Sequence, residues 1–204
     1  MHTSIASLAL VLAANLSAGP APAPVQAKPG PASGSYTVDP EHTSVLLRVK
    51  HLNTSWTYCR FDKVSGAFTV DPAHLESSSF KVQIDASSID TGQTARDAHL
   101  KSPDFLDAGQ FKEISFTSKS IQKAGEGKYK AEGELSLHGV KKSLSVELEE
   151  VGTSDTKFGV RAGFHGSFMI QRSDYGIKFM PDAVGEEIHV TVSVEGTRVE
   201  AKAK

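Results

Sequence analysis

The stretch from Ser88 to Asp107, S-I-D-T-G-Q-T-A-R-D-A-H-L-K-S-P-D-F-L-D, gathers the densest set of chemically capable groups in the chain. Arg96, Asp97 and His99 fall within one turn of a short helical pattern. A guanidinium, a carboxylate and an imidazole so spaced could move protons on a bound substrate, given a pocket and a partner base. The same three groups could instead hold a short helix onto a sheet by hydrogen bonds and ion pairs. No partner base can be placed nearby, so the residue types favour the bracing role. Arg172 and Asp174, in R-S-D-Y-G, likewise read as a charged brace for the loop they begin.

Other chemistry is poorly served. The chain has eight histidines, but those beyond the N-terminal segment are scattered singly. No H-x-H, H-E-x-x-H or C-x-x-C spacing occurs, so neither a metal nor another cofactor is expected. There is no G-x-S-x-G, and Gly34-Ser35 and Gly166-Ser167 are not nucleophile elbows. No glycine cluster forms a phosphate loop. With 22 basic and 24 acidic residues the net charge is −2, which gives no electrostatic reason to bind nucleic acid.

The elements that must position these groups begin after a separate N-terminal segment. Residues 1–27 read as a secretory signal peptide, with an apolar run from Ile5 to Leu16 and small-residue cleavage sites after Ala18 or Ala27. That run is too short to span a bilayer, and no stable membrane insertion is expected. Residues 28–34 form a Pro/Gly/Ser linker, 35–198 a single domain and 199–204 a disordered tail. The protein is therefore expected in the periplasm or outside the cell. Cys59 is the only cysteine, so no intramolecular disulfide can form, and burial as a small hydrophobe is its expected fate.

Within the domain, alternation of apolar and polar residues recurs almost everywhere. It runs through Thr43–Leu52, from near Tyr58 to Val70, and through Phe80–Asp85 and Ile114–Thr117. Further runs carry Leu135 and Leu137, then Leu144 to Leu148, then Phe164 to Ile170, and finally Ile188–Val194. Turn signals separate them at Gly125-Glu126-Gly127, at His138-Gly139 and at Gly152-Thr153-Ser154-Asp155. With Tyr36–Asp39 joined to the first run, these make about eight antiparallel strands, which implies an all-β sandwich or barrel. A barrel of that size closes its edges and leaves room for one slim ligand.

Two segments break the pattern. Thr94-Ala95-Arg96-Asp97 resembles a capping box with Asp in place of Glu, opening a helix of about two turns through Lys101. Asp97 and Lys101 stand four apart and can pair. So short a helix needs docking, through Leu100, with Phe105, Leu106 and Phe111 following. The second segment, Gln171–Glu187, holds Ile177, Phe179, Met180 and Val184, and should cap something apolar. The apolar strand faces carry Val45, Leu47, Val49, Phe68, Val82, Ile84, Phe116, Leu137, Val146, Phe164, Phe168, Val190 and Val192. By periodicity alone they could line a tunnel or pack against one another.

Four stretches, in order, carry a resemblance: Y-T-V-D, H-T-S-V and H-L between Tyr36 and Leu52; S-I-D-T with R-D-A-H-L-K-S and D-F between Ser88 and Phe105; G-E-L-S-L-H-G-V-K from Gly133; and R-S-D-Y-G from Arg172. Together they resemble the polyisoprenoid-binding YceI-like family of lipocalin-like periplasmic proteins, over essentially Ser35–Val194. The resemblance implies an extended eight-stranded antiparallel lipocalin-like β-barrel with one short helical insert and a hydrophobic pore. It also implies binding of a long isoprenoid chain or similar amphiphile, such as a quinone tail or fatty amide. Cys59 departs from the family, which more often has Gly there. The Trp56-Thr57-Tyr58 cluster is this chain's own, and would narrow or gate one end of the cavity.

The expectation is a binding or carrier protein that sequesters a long-chain amphiphile, not an enzyme, with a homodimer possible. The apolar face above would line the cavity, and His51, Arg96 and His99 would meet the ligand's head. His51 shares the inward face of its strand, and a neutral imidazole there could hydrogen-bond a quinone or amide. The rival readings are a barrel enzyme using Arg96, Asp97 and His99 on a lipid-like substrate, and a secreted stress-related interaction protein with a filled core.

Overall fold

The computed structural model describes residues 33–200, so the signal-peptide reading, most of the linker and the last tail residues lie outside it. Eleven strands form one antiparallel sheet: β1 (Gly34–Val38), β2 (Ser44–His51), β3 (Ser55–Phe61), β4 (Val64–Val70), β5 (Ser79–Asp85), β6 (Ile89–Asp90), β7 (Glu113–Gly125), β8 (Lys128–Leu137), β9 (Val140–Thr156), β10 (Gly159–Gln171) and β11 (Val184–Arg198). Pairing of Tyr36 with Arg198 and of Val38 with Gly196 closes the sheet on itself. The result is a closed eight-stranded antiparallel barrel in the order β1-β4-β5-β7-β8-β9-β10-β11.

The three surplus strands are continuations. β1 and β2 both pair with the same edge of β11 and form one long strand broken at Asp39–Thr43. β3 and β4 are likewise one strand broken at Asp62-Lys63. β5 and β6 are separated by a 3-10 turn at Ala86–Ser88, whose cap is the Asp85 carboxylate accepting from the Ser87 N–H.

The first break is tied down from outside. Asp39 N–H donates to the Glu195 carbonyl at 2.8 Å, and Thr43 Oγ1 accepts from Glu195 N–H at 3.2 Å. The Arg161 guanidinium donates to the carboxylates of both Asp39 and Glu195. His42 Nδ1 lies 3.1 Å from the Asp39 carboxylate. These groups hold the Asp39 carboxyl down to about 2, chiefly through Arg161.

Two turn expectations fare differently. β8 and β9 meet at His138-Gly139 with φ of 51° and 74°, the two-residue hairpin turn whose twist suits the strands. Gly152–Asp155, expected as a turn, lies inside β9, and the chain reverses one turn further on, between Thr156 and Gly159. At Gly152 the register against β10 slips, Gly163 facing Gly152 but Phe164 facing Glu150. Val151 is the extra residue of a bulge, which bends the long hairpin around the barrel.

Side chains inside the ring form two clusters. In one half, Tyr36 stacks on Phe68 at 5.0 Å and Phe68 on Phe80 at 5.3 Å, while Phe164 meets Phe68 and Phe80 edge-on at 5.7 and 5.1 Å. This solid aromatic core leaves no room for a Cβ at Gly196, where one would sit 2.5 Å from the Phe68 ring and 2.9 Å from Tyr36. The other half is lined by aliphatic residues and covered at its end by α1 (Thr94–Leu100) and the segment that follows.

Gly196→Ala should therefore destabilise the protein by about 1–3 kcal/mol through overpacking, read as a lower urea midpoint at unchanged slope. Asp39, with its carboxyl depressed, should contribute stability that is fully present above its ordinary value of 3.8 and is lost as pH falls toward about 2. Asp39→Asn should remove that part of the acid dependence in pH-resolved thermal melts.

Candidate functional site

Following the inward face of three paired strands builds the cavity wall rung by rung. Val49 stands opposite Thr57 and Ile188, Leu47 opposite Cys59 and Val190, and Val45 opposite Phe61 and Val192. Across the barrel, Ile84 pairs with Ile114, and Val82 with Phe116, which pairs in turn with Leu135. These residues enclose a cavity of about 420 Å³. From His51 to Val45 is about 20 Å of strand, or about 15 Å along the axis of a barrel with ordinary strand tilt. Phe80, Phe116, Leu148 and Val194 close its floor against the aromatic core.

Every proposed lining residue except Phe68 and Phe164 borders this space: Val45, Leu47, Val49, His51, Val82, Ile84, Arg96, His99, Phe116, Leu137, Val146, Phe168, Val190 and Val192. Phe68 and Phe164 share the inward parity but sit lower, where their rings reach across the lumen and fill it. Trp56 and Tyr58 do not gate the cavity. Alternation along β3 turns Thr57 and Cys59 inward and sends the two rings outward, where Trp56 lies under Arg48 at 4.5 Å and against His189 at 5.3 Å. Cys59 is buried in the wall, as expected, and burial pushes its thiol up to about 11, so it stays protonated at neutral pH.

The mouth is built by the two irregular segments. The helix cap is Gln93, whose side chain accepts from Arg96 N–H at 2.6 Å, and not Thr94. Asp97 does not complete a capping box, because its carboxylate accepts from Thr91 N–H and hydroxyl at 2.9 and 2.5 Å. That bond also takes the place of the expected pairing with Lys101. Arg96 reaches back to Thr91 Oγ1 and the Thr91 carbonyl at 2.9 and 3.0 Å. His99 Nε2 lies 2.9 Å from Asp104, and its ring packs edge-on against Phe105 and Phe179. The three polar residues of the helix thus brace it, while Arg96 and His99 also border the cavity.

Arg172 is the strongest brace, and it acts on backbone more than on a carboxylate. It is only 3% exposed, and its guanidinium donates to the carbonyls of Ile177, Phe179, Val184 and Gly185 at 2.8–3.1 Å. Glu186 stands 3.9 Å away and takes the Ser173 N–H at 2.8 Å. Asp174 pairs instead with Lys142 at 2.7 Å. The loop is thereby fixed with Ile177, Met180 and Val184 against the cavity. Sequence reasoning left out Ile114 and Leu135, which share parity with Phe116 and Leu137 and were reachable by alternation. It also left out Phe80, whose place on the floor follows only from the closed ring; Lys50 borders the space too, but its ammonium lies 5.6 Å over the outward Trp56 ring. No Asp or Glu borders the cavity among the described residues, whereas His51, Arg96 and His99 do, with the Asp104 carboxylate 2.9 Å from His99.

A closed antiparallel barrel with an apolar lumen, one covered end and one solid end is a lipocalin-like barrel. The chain belongs to the YceI-like domain family, whose model matches residues 36–196. A UPF0312 protein of Vibrio parahaemolyticus is 35% identical over 166 residues, covering 79% of this chain and 88% of that protein. The solved YCEI protein of Campylobacter jejuni superposes with a TM-score of 0.64 at 30% identity, covering 74% of this chain and 90% of that one. A polyisoprenoid binding domain from Saccharophagus degradans shares the fold, with a TM-score of 0.63 at 15% identity, over 80% of this chain and 98% of that one.

Arg172→Leu should free the carbonyls it holds, each costing about 1–3 kcal/mol when left unpaired and buried. A lower melting temperature is expected, with faster amide exchange concentrated between Gly176 and Gly185.

Proposed function

We propose that this protein is a periplasmic or secreted binding protein that carries one polyisoprenoid or other long-chain amphiphile, tail inward. The observation that supports this most is the cavity: aliphatic walls, an aromatic floor, and polar groups confined largely to one end. A cavity of this size is in the range of small-molecule sites. Each buried methylene is worth about 0.8 kcal/mol, so some ten carbons supply about 8 kcal/mol of gross stabilisation, from which the freedom lost on binding is subtracted. Length and shape, more than chemistry, would then select the tail. The polyisoprenoid named for the Saccharophagus degradans neighbour is a cargo of this kind.

His51, Arg96 and His99 at the mouth would face the head. His51 and Arg96 can donate to a head rich in hydrogen-bond acceptors, such as a quinone or an amide, while the Asp104 carboxylate already stands 2.9 Å from His99. Val45, Leu47, Val49, Val82, Ile84, Phe116, Leu137, Val146, Phe168, Val190 and Val192 would hold the tail. Arg96, Asp97 and His99 serve this reading as helix braces and head contacts, with no acid–base step required of them.

Organic extraction of protein purified from its native compartment, followed by mass spectrometry, should yield a stoichiometric polyprenyl or similar long-chain species. An empty protein that also refuses added prenols would end the carrier reading. Arg96→Met should weaken binding of a prenyl ligand with an acceptor head about tenfold or more, the value of one charge-assisted hydrogen bond. It should leave binding of a headless hydrocarbon of equal length unchanged in a displacement titration.

A further inference from the structure

Around the cavity mouth the chain breaks two ordinary rules at the same positions. Leu52, Phe179 and Met180 are large apolar side chains with exposures of 54%, 40% and 44%. Leu52 and Met180 also hold φ near +49°, a left-handed conformation costly for residues other than Gly, Asn or Asp. Met180 does so immediately before Pro181, where the backbone is restricted further.

These residues form one rim. Leu52 N–H donates to the Ala183 carbonyl at 2.8 Å, and the Ala183 and Val184 amides donate to the Met180 carbonyl at 3.1 and 2.9 Å. The Phe179 ring lies 5.5 Å from His99, on the opposite lip. Arg172 fixes the carbonyl of Phe179 at 2.8 Å, so the rim is a held platform and not a loose lid. Exposed Lys50 and Lys178 adjoin it, and so do the exposed acids Asp182 on the same loop, Glu186 at the start of β11 and Asp104 beside His99.

We infer that this rim is a reversible docking surface for a lipid bilayer, with Leu52, Phe179 and Met180 entering the interfacial zone and Lys50 and Lys178 meeting anionic headgroups. Three observations favour a bilayer as occupant. The rim is continuous with the apolar cavity through Met180, so a tail could pass between bilayer and lumen without crossing water. Apolar side chains flanked by lysines match the layering of a membrane interface. Water-exposed bulky residues kept in a strained backbone mark a site where local stability yields to function. No helix among the described residues is long and apolar enough to cross a membrane. A second exposed apolar patch, Leu46 and Met169 on the outer wall of β2 and β10, lies in unstrained strand and serves as the control.

The passage of cargo through the rim rests on the carrier reading, but the docking does not, and the two can fail separately. Sedimentation with sucrose-loaded vesicles of phosphatidylcholine and phosphatidylglycerol tests docking directly. Leu52→Asn suits the left-handed backbone and should fold at least as well as the parent in a thermal melt. It should lower vesicle partitioning at least fivefold, and Leu52→Asn with Phe179→Gln should lower it further. Leu46→Thr with Met169→Thr should leave it unchanged. Farnesol uptake from ethanol injection should be the same in parent and Leu52→Asn proteins, while transfer of farnesol from vesicles should slow in the variant. Docking is overturned if the parent does not sediment with vesicles, or if Leu52→Asn sediments equally well. A parent that sediments through the rim yet takes up no farnesol would overturn the carrier reading alone.

Discussion

The width of a closed eight-stranded ring, set against the reach of the side chains that point into it, governs the rest of this structure. Closure fixes the lumen, and alternation obliges every second residue to face it. Where those residues are Tyr36, Phe68, Phe80, Tyr129 and Phe164, rings meet across the axis and the barrel is solid. Where they are Val45, Leu47, Val82, Ile114 and Val190, branched aliphatic chains stop short and a cavity remains. One architecture thus yields a stable base and an open receptacle, divided at Phe80, which belongs to both.

Such a receptacle needs an end wall that neither collapses inward nor seals the entrance. Among the described residues β6 pairs with β3 and has no ladder to β7, and α1 follows β6 and packs beside it. A seven-residue helix has little intrinsic stability. Its polar residues therefore spend their hydrogen bonds on Thr91, Gln93 and Asp104, close in sequence. Arg172 performs the same service for the opposite lip by gathering carbonyls that would otherwise be buried without partners. The mouth is polar because its scaffold requires polar groups.

Much of this could be read in the chain beforehand. Strict alternation in Phe80–Asp85 and Ile188–Val194 marked strands, and His138-Gly139 marked its hairpin, because these signals are local. The break after Val38 was not legible as a bend, since it depends on Arg161, far away in sequence, reaching Asp39. Gly152 looked like a turn because a glycine in a bulge and a glycine in a turn leave the same trace. Phe68 and Phe164 carried the right parity for a lining role, but parity reports direction and not height in the barrel. The cap at Gln93 was hidden by a plausible box at Thr94, which the hydroxyl of Thr91 defeated by taking Asp97 for itself.

On the proposed carrier reading, an extended apolar tail lies in the upper half of the barrel and stops at the aromatic floor. Nuclear Overhauser contacts between a bound prenol and the methyl groups of selectively labelled protein test it most directly. The expected contacts run from the prenyl methyls to Val82, Ile114, Leu135 and Val190, with none to Ile121 in the solid half. Contacts confined to Leu46 and Met169 on the outer wall, or none to the inward-facing methyls, would contradict it.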